Sequence, residues 1–223
     1  MIRRDYIIRM IEEFTQVLAR IRKLKQDQQT QEARVETEEE FKRATGLDSE
    51  TVLRLSETEL LARLIQSDPG QSVREKMLFL TTLLKETGDI SVSEERDEQG
   101  RACYLKGLNL LLNSLARNEI YEVPEFVPKV EEFVAALADS ELPVTTSALL
   151  MENYERTGQF ARAEDALYAI LEAEPGNQPA VEFGISFYER LQRQSDVRLE
   201  EGNLPRSEVE AGLKELSGRK AAA

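Results

Sequence analysis

The sequence predicts an all-α fold. Apolar side chains recur at steps of three and four along most of the chain, as on one face of a helix, and no useful stretch alternates apolar and polar residues as a strand does. Residues 144 to 177 give the clearest pattern, because two helical stretches meet at Gly158 and the second ends at Pro175. Such a helix pair buries its apolar faces only against stacked neighbours, so we expect an antiparallel array of helical hairpins.

An additional amphipathic helix is predicted at the N-terminus. Residues 4 to 29 place a wide apolar stripe on one helical face, which has to pack against another surface. That surface is either the core of the same chain or a second copy. The residues predicted to mediate self-association are Ile7, Ile11, Phe14, Leu18 and Ile21.

Charge is unevenly distributed along the chain. Residues 1 to 25 carry seven basic and three acidic side chains, whereas the whole chain has a net charge of −13. A basic amphipathic helix can lie on an anionic membrane. Membrane attachment is the weaker alternative, because the apolar face has no Trp and because Glu12 and Glu13 dilute the basic face.

Composition divides the chain into three predicted segments. Residues 26 to 40 are almost entirely polar, which indicates a solvated helix extension or a linker. The predicted organisation is therefore an N-terminal amphipathic helix with a polar extension (residues 1 to 34), a helical repeat domain (residues 35 to 216) and a disordered tail (residues 217 to 223).

Short polar motifs predict where helices begin. Asp48 precedes a short helix, and Ser56 and Glu59 have the spacing of a capping box, in which each side chain binds the backbone N–H of the other residue. The Asp-Pro-Gly sequence at residues 68 to 70 predicts a turn after the second of these helices.

Two further turns are predicted from glycines. The sequence around Gly88 resembles that around Gly158, so we expect a degenerate earlier copy of the same hairpin with its turn at Gly88. Another turn is expected at Gly202, followed by a last amphipathic helix at residues 207 to 216.

Composition also argues against catalysis. The chain has no histidine, which excludes Ser-His-Asp triads, Cys/His couples and Cys/His zinc sites. Its single cysteine, Cys103, lies among apolar residues and is predicted to be a buried structural thiol. No glycine-rich phosphate loop is present. We therefore predict a protein that is not an enzyme, with no catalytic residue, cofactor or metal site.

Partners and location follow from charge and hydropathy. An acidic chain does not neutralise phosphates, so nucleic acid is not expected as a partner. No apolar run approaches the roughly 18 residues of a membrane span, and no leader sequence precedes the first helix. We expect a cytoplasmic protein.

Residues 144 to 177 resemble a tetratricopeptide repeat, a helical hairpin of about 34 residues. The resemblance rests on Leu150, Tyr154, Gly158, Phe160, Ala163 and Pro175. It implies that the inner helices line a concave peptide-binding face, with Tyr154 and Tyr188 as packing supports. The groove residues predicted on that face are Thr145, Glu152, Arg156, Glu182, Ser186 and Arg190.

Arg156 and Arg190 are the predicted polar anchors of the groove. They lie one repeat period apart, and together they could hold a peptide carboxylate through bidentate hydrogen bonds. The alternative is that both arginines pair on a solvated surface, Arg156 with the nearby Glu152 and Glu155, and Arg190 with the nearby Glu189.

Residues 5 to 12 resemble the opening of an uncharacterised bacterial family of helical proteins without an assigned function, which implies a bacterial origin and adds no chemistry. The sequence thus predicts an interaction or adaptor module that binds an unidentified protein or peptide in a concave helical groove. A homodimer or larger assembly built through the N-terminal helix is the first alternative. A peripheral membrane scaffold is the second.

Overall fold

The computed structural model describes residues 2 to 67, 72 to 117 and 123 to 221, and these ranges contain α-helices and no strand. The predicted all-α class is confirmed. The turn predicted at residues 68 to 70 lies outside the described residues, as do residues 222 and 223 of the predicted tail.

The chain separates into two units, Met1–Glu141 (unit 1) and Leu142–Ala223 (unit 2), and not at the boundary predicted between residues 34 and 35. The helices described in unit 1 are α1 (Ile2–Gln26), α2 (Thr30–Thr45), α3 (Ser49–Arg54), α4 (Glu57–Ser67), α5 (Val73–Ser93), α6 (Asp97–Ala116) and α7 (Val130–Ala136). Helices α5 and α6 form the central hairpin, and α1 and α2 pack on α5.

The core of unit 1 forms where α1 meets α5. The ring of Phe14 stacks on that of Phe79 with their centroids 4.0 Å apart, and Phe126 meets Phe14 edge-on at 5.3 Å. An edge-on aromatic contact such as that of Phe126 with Phe14 adds to the stabilisation from burial. The amphipathic stripe of α1 therefore packs within its own chain.

The polar segment at residues 26 to 40 is not a linker, because most of it belongs to α2. This helix buries Ala33, Thr37 and Phe41, which are spaced four residues apart and so lie on one face. A narrow strip of small and apolar side chains is sufficient for packing on α1 and α5. Because most residues of this segment are polar, its overall composition did not reveal the strip.

The predicted start signals of α3 and α4 are confirmed. The Asp48 carboxylate accepts a hydrogen bond from the Thr51 N–H at 2.7 Å. The Ser56 N–H donates to the Glu59 carboxylate at 2.8 Å, and the Glu59 N–H donates to the Ser56 hydroxyl at 3.2 Å. Both motifs satisfy backbone donors that the first helical turn leaves free.

The hairpin turn predicted at Gly88 is wrong, because α5 continues through it to Ser93. A Cβ atom at Gly88 would overlap the ring of Tyr104 on α6, so the glycine permits close approach of two helices. The connection between α5 and α6 lies later, with Glu95 in the left-handed region at φ 59°.

Unit 2 also consists of helices in its described residues. They are α8 (Val144–Arg156), α9 (Phe160–Ala173), α10 (Gln178–Leu191), α11 (Asp196–Glu201) and α12 (Arg206–Ala221). The hairpin predicted between α8 and α9 is present, with Gly158 at φ 77° in the left-handed region that terminates many helices. Helix α10 packs on α12, and the short α11 lies between these two helices in the sequence.

The end of unit 2 differs from the prediction in two respects. The chain turns after Gly202, as expected, but the left-handed residue is Asn203 at φ 56°. Helix α12 runs to Ala221, so residues 217 to 221 are helical where a disordered tail was predicted. No helix among the described residues has the length and apolar character needed to cross a membrane.

Candidate functional site

The six predicted groove residues are all exposed on unit 2. Several already have partners. Glu182 forms an ion pair with Lys220 at 2.9 Å, and the Ser186 hydroxyl donates to the Glu182 carbonyl oxygen at 3.0 Å. These side chains face solvent, but the structure does not gather all six into one cleft.

Arg190 binds the neighbouring helix. Its Nε and Nη2 atoms each donate to a carboxylate oxygen of Glu155 on α8, both at 2.7 Å. These hydrogen bonds raise the pKa of Arg190 above its ordinary value. A partly exposed bidentate pair contributes up to about 1 kcal/mol, so a ligand carboxylate must compete with Glu155 for this guanidinium.

Arg156 instead lies beside a small cleft with Arg198 of α11. This unit 2 cleft has a volume of about 280 Å³ and is lined by Glu152, Glu155, Arg156, Phe160, Leu191, Gln194 and Arg198. The Arg156 Nη2 atom donates to the Asn153 side-chain oxygen at 2.9 Å. Among the described residues, no carboxylate lies within ion-pair distance of Arg198. The cleft thus combines two guanidinium groups with an apolar floor of Phe160 and Leu191.

Tyr188, predicted as a packing support, is fully buried, and its hydroxyl donates to the Glu164 carboxylate at 2.6 Å. Burial raises the pKa of Glu164, and repulsion from Glu208, Asp165 and Glu215 adds to the effect, which outweighs the hydrogen bond from Tyr188. Folding therefore shifts the protonation equilibrium of Glu164 towards the neutral carboxyl group compared with the unfolded chain.

We expect Glu164→Gln to stabilise unit 2 at pH 7, because the amide keeps a hydrogen-bond acceptor for Tyr188 and removes the charge. Since the pKa is raised on folding, stabilisation by Glu164 is complete below its unfolded value near 4.5 and is lost as pH rises through the folded value. The advantage of the variant should therefore vanish near pH 4. Urea unfolding at pH 4, 5.5 and 7 tests this, and an equal difference at all three values would contradict it.

The predicted self-association surface is mostly occupied within unit 1. Phe14, Leu18 and Ile21 are buried in its core, and Ile11 packs partly against the same cluster. Ile7 is half-buried. A second copy cannot bind the three core residues while α1 stays packed on α2 and α5.

A polar cluster that the sequence interpretation missed joins α1 to α5. The Glu86 carboxylate, whose side chain is only 4% exposed, accepts hydrogen bonds from Arg22 at 2.7 Å and Lys25 at 2.5 Å. Lys25 also donates to Asp89 at 2.8 Å, and Lys85 donates to the other oxygen of Asp89 at 2.6 Å. These side chains line an open cleft of about 510 Å³.

Electrostatics in this cluster favours the charged forms. Burial alone would lower the pKa of Lys25, but attraction to Glu86 and hydrogen bonds to both carboxylates raise it. Burial would raise the pKa of Asp89, but hydrogen bonds from Lys25 and Lys85 hold it below its ordinary value. Each charged side chain of this cluster therefore pairs with one of opposite charge. We call this set of ion pairs, which connects α1 to α5, the clamp.

Cys103 is buried, as predicted. Burial raises the pKa of its thiol to about 12. Nucleophilic chemistry requires the thiolate, so this side chain is inert at neutral pH.

A family model matches residues 1–220, and its description is a family of unknown function, DUF6483. The chain belongs to the DUF6483 family. No curated protein and no solved structure gives a match. The DUF6483 match spans both units, in agreement with the uncharacterised family that residues 5 to 12 resemble.

The DUF6483 family has no assigned function and so indicates no ligand. The functional residues that the sequence interpretation missed, those of the clamp and Arg198, are therefore judged by their geometry. One signal for the clamp was present in the sequence. Arg22 and Lys25 are one helical turn apart, and so are Glu86 and Asp89, which suits two facing helices. Arg198 gave no comparable signal in the sequence.

Proposed function

We propose that this chain is a non-catalytic interaction module that binds an acidic peptide in the unit 2 cleft. The observation that supports this most is that Arg156 and Arg198 line the same cleft, beside the buried apolar side chains of Phe160 and Leu191. Arginine suits carboxylate recognition because its guanidinium offers parallel donors in a rigid plane.

We further propose that unit 2 is a short tetratricopeptide-like array. Helices α8 and α9 form a hairpin around Gly158, and Ala163 is completely buried, as close helix packing requires. Tyr154 is buried at the corresponding inner position. Arrays of this kind commonly present exposed concave faces to partners.

Arg190 has a supporting role in this mechanism. Its pairing with Glu155 leaves the cleft with Arg156, Arg198 and Glu152 as the remaining charged lining groups. The local balance is then positive by one charge, although the whole chain is acidic. A peptide with one well-placed carboxylate fits this balance better than a strongly acidic segment.

The two alternatives have weaker support. Self-assembly through α1 needs Phe14, Leu18 and Ile21, which pack in unit 1. Membrane attachment needs an apolar face and free basic side chains, yet Arg22 and Lys25 bind Glu86. We place the module in the cytoplasm, as its composition suggests.

A displayed library of random peptides tests the proposal. The full chain is expected to enrich peptides that contain Asp, Glu or a free C-terminal carboxylate. The double variant Arg156→Glu, Arg198→Glu should bind the enriched peptides at least about tenfold more weakly, because one charge-assisted hydrogen bond contributes about 1.5 to 3 kcal/mol.

The control changes the same number of charges elsewhere on unit 2. Arg193 and Lys214 are exposed and do not line the cleft, so Arg193→Glu, Lys214→Glu should leave peptide affinity within about twofold. Circular dichroism establishes that both variants are folded. Enrichment without acidic residues, or equal weakening in the two double variants, would refute the proposed function.

A further inference from the structure

Glu155, which lines the unit 2 cleft, binds an arginine in the way that a peptide carboxylate does. Its two carboxylate oxygens accept hydrogen bonds from Nε and Nη2 of Arg190, both at 2.7 Å. This two-point geometry is frequent where arginine recognises a carboxylate. Glu155 is therefore an internal counterpart of the carboxylate that the proposed function assigns to the ligand, and the inference below rests on that proposed function.

Arg190 lies at the border of the unit 2 cleft. It is not a lining residue, but Glu155 and Glu152 both are. Hydrogen bonding to Glu155 is the main cause that raises the pKa of Arg190, and attraction to Glu152 adds to it. The guanidinium is thus close to two lining side chains, and Arg190 is within reach of a ligand that occupies the cleft.

The pair of Glu155 and Arg190 is open to exchange. The side chain of Arg190 is 44% exposed and that of Glu155 is 20% exposed, so solvent screens their attraction. The clamp of unit 1 is different, because its Glu86 side chain is only 4% exposed. Displacing Glu155 from Arg190 therefore leaves no charge buried without a partner, whereas opening the clamp does.

The pairing determines which arginines are available to a ligand. Arg156 and Arg198 line the cleft, whereas Arg190 is held by Glu155. Removing either Glu152 or Glu155 would make this region more positive by one charge. Only the loss of Glu155 would also free the guanidinium of Arg190, so total charge and arginine availability are separable by experiment.

We propose that Glu155 is an intramolecular competitor that limits the unit 2 cleft to peptides with one carboxylate. That carboxylate binds between Arg156 and Arg198, and Glu155 excludes a second carboxylate from Arg190. A peptide with two carboxylates has to displace Glu155. It then gains only the difference between its own contact with Arg190 and the contact that Glu155 loses.

Selections from one displayed library of random peptides test the competitor. The wild-type chain is expected to enrich peptides with one carboxylate, whereas Glu155→Ala should enrich peptides with two. Glu152→Ala is the matched control, because it removes the same charge from the same helix and leaves Arg190 paired. Alanine is the best helix former, so both variants keep α8 helical. Equal carboxylate numbers in the peptides enriched by the two variants would contradict the proposal.

Peptide affinities measured by fluorescence polarisation show whether the effect depends on Arg190. A two-carboxylate peptide from the Glu155→Ala selection should bind this variant at least about tenfold more tightly than the wild type, because a freed guanidinium forms charge-assisted hydrogen bonds. In an Arg190→Gln background, Glu155→Ala should change the affinity less than about threefold. An equal gain in both backgrounds would show that Glu155 acts only through its charge, and the proposed competition would be wrong.

The outcomes separate this proposal from the proposed function. If the wild-type chain enriches no acidic peptide, the proposed function fails and the competition fails with it. If the wild-type chain enriches acidic peptides and Glu155→Ala enriches the same ones, the competition alone is refuted. Circular dichroism establishes that each variant is folded before its peptides are compared.

Discussion

Replacing Arg22 and Lys25 together by methionine is expected to lower the free energy of unfolding of unit 1 by about 3 kcal/mol. The double replacement leaves the Glu86 carboxylate, 4% exposed, without either cation that now contacts it. Stranding a buried charge typically costs about 3 to 5 kcal/mol. The lower value applies because the adjoining cleft is open, so water can reach part of the cluster. Amide hydrogen exchange of α5 peptides measures this loss within unit 1.

A matched pair on the same helix provides the control. Arg20 pairs with Glu36 at the surface, and Lys23 is exposed, so Arg20→Met, Lys23→Met should cost less than about 1 kcal/mol. Adding Glu86→Gln to the first double variant should recover much of its loss by removing the stranded charge. If the two double variants lose equal stability, or if Glu86→Gln restores nothing, the clamp does not have the role assigned to it.

Helical periodicity was a reliable guide wherever one face of a helix is buried. The hairpin of α8 and α9 follows from apolar spacing, a left-handed glycine and a small buried residue, and all three are local properties. The turn predicted at Gly88 was wrong because the role of this glycine depends on a neighbouring helix and not on local sequence. A glycine that ends a helix and a glycine that admits a neighbouring ring look alike in one sequence, and only the position of Tyr104 distinguishes them.

The candidate sites are formed by contacts between helices that are distant in sequence, and no local sequence pattern reveals such contacts. Glu86 lies more than sixty residues from Arg22 and Lys25, so their pairing requires that α1 packs on α5. The bidentate contact of Arg190 with Glu155 depends on the register between α8 and α10. The sequence suggested Glu189, on the same helix, as the alternative partner of Arg190, whereas the structure pairs this arginine with Glu155 on α8.

The second large effect is expected from Gly202→Ala, which should lower the free energy of unfolding of unit 2 by about 3 kcal/mol. A Cβ atom there would overlap the ring of Phe160 and lie 2.7 Å from the carbonyl oxygen of Gly158. Phe160 is buried, and the Gly202 carbonyl oxygen accepts a hydrogen bond from the Ala161 N–H at 3.0 Å, so neither side moves freely. Urea unfolding and hydrogen exchange of α9 peptides measure the loss.

Two other glycines in unit 2 separate steric overlap from backbone conformation. Gly158→Ala has open space around its Cβ but a φ of 77°, so it should cost about 1 to 2 kcal/mol through backbone strain alone. Gly218 also has open space and lies inside α12, where alanine should stabilise the helix by up to about 1 kcal/mol. From most to least stable, the expected order is therefore Gly218→Ala, wild type, Gly158→Ala and Gly202→Ala. A Gly202→Ala protein as stable as the wild type would show that the close contact between the α8–α9 turn and the residue after α11 is not needed for packing.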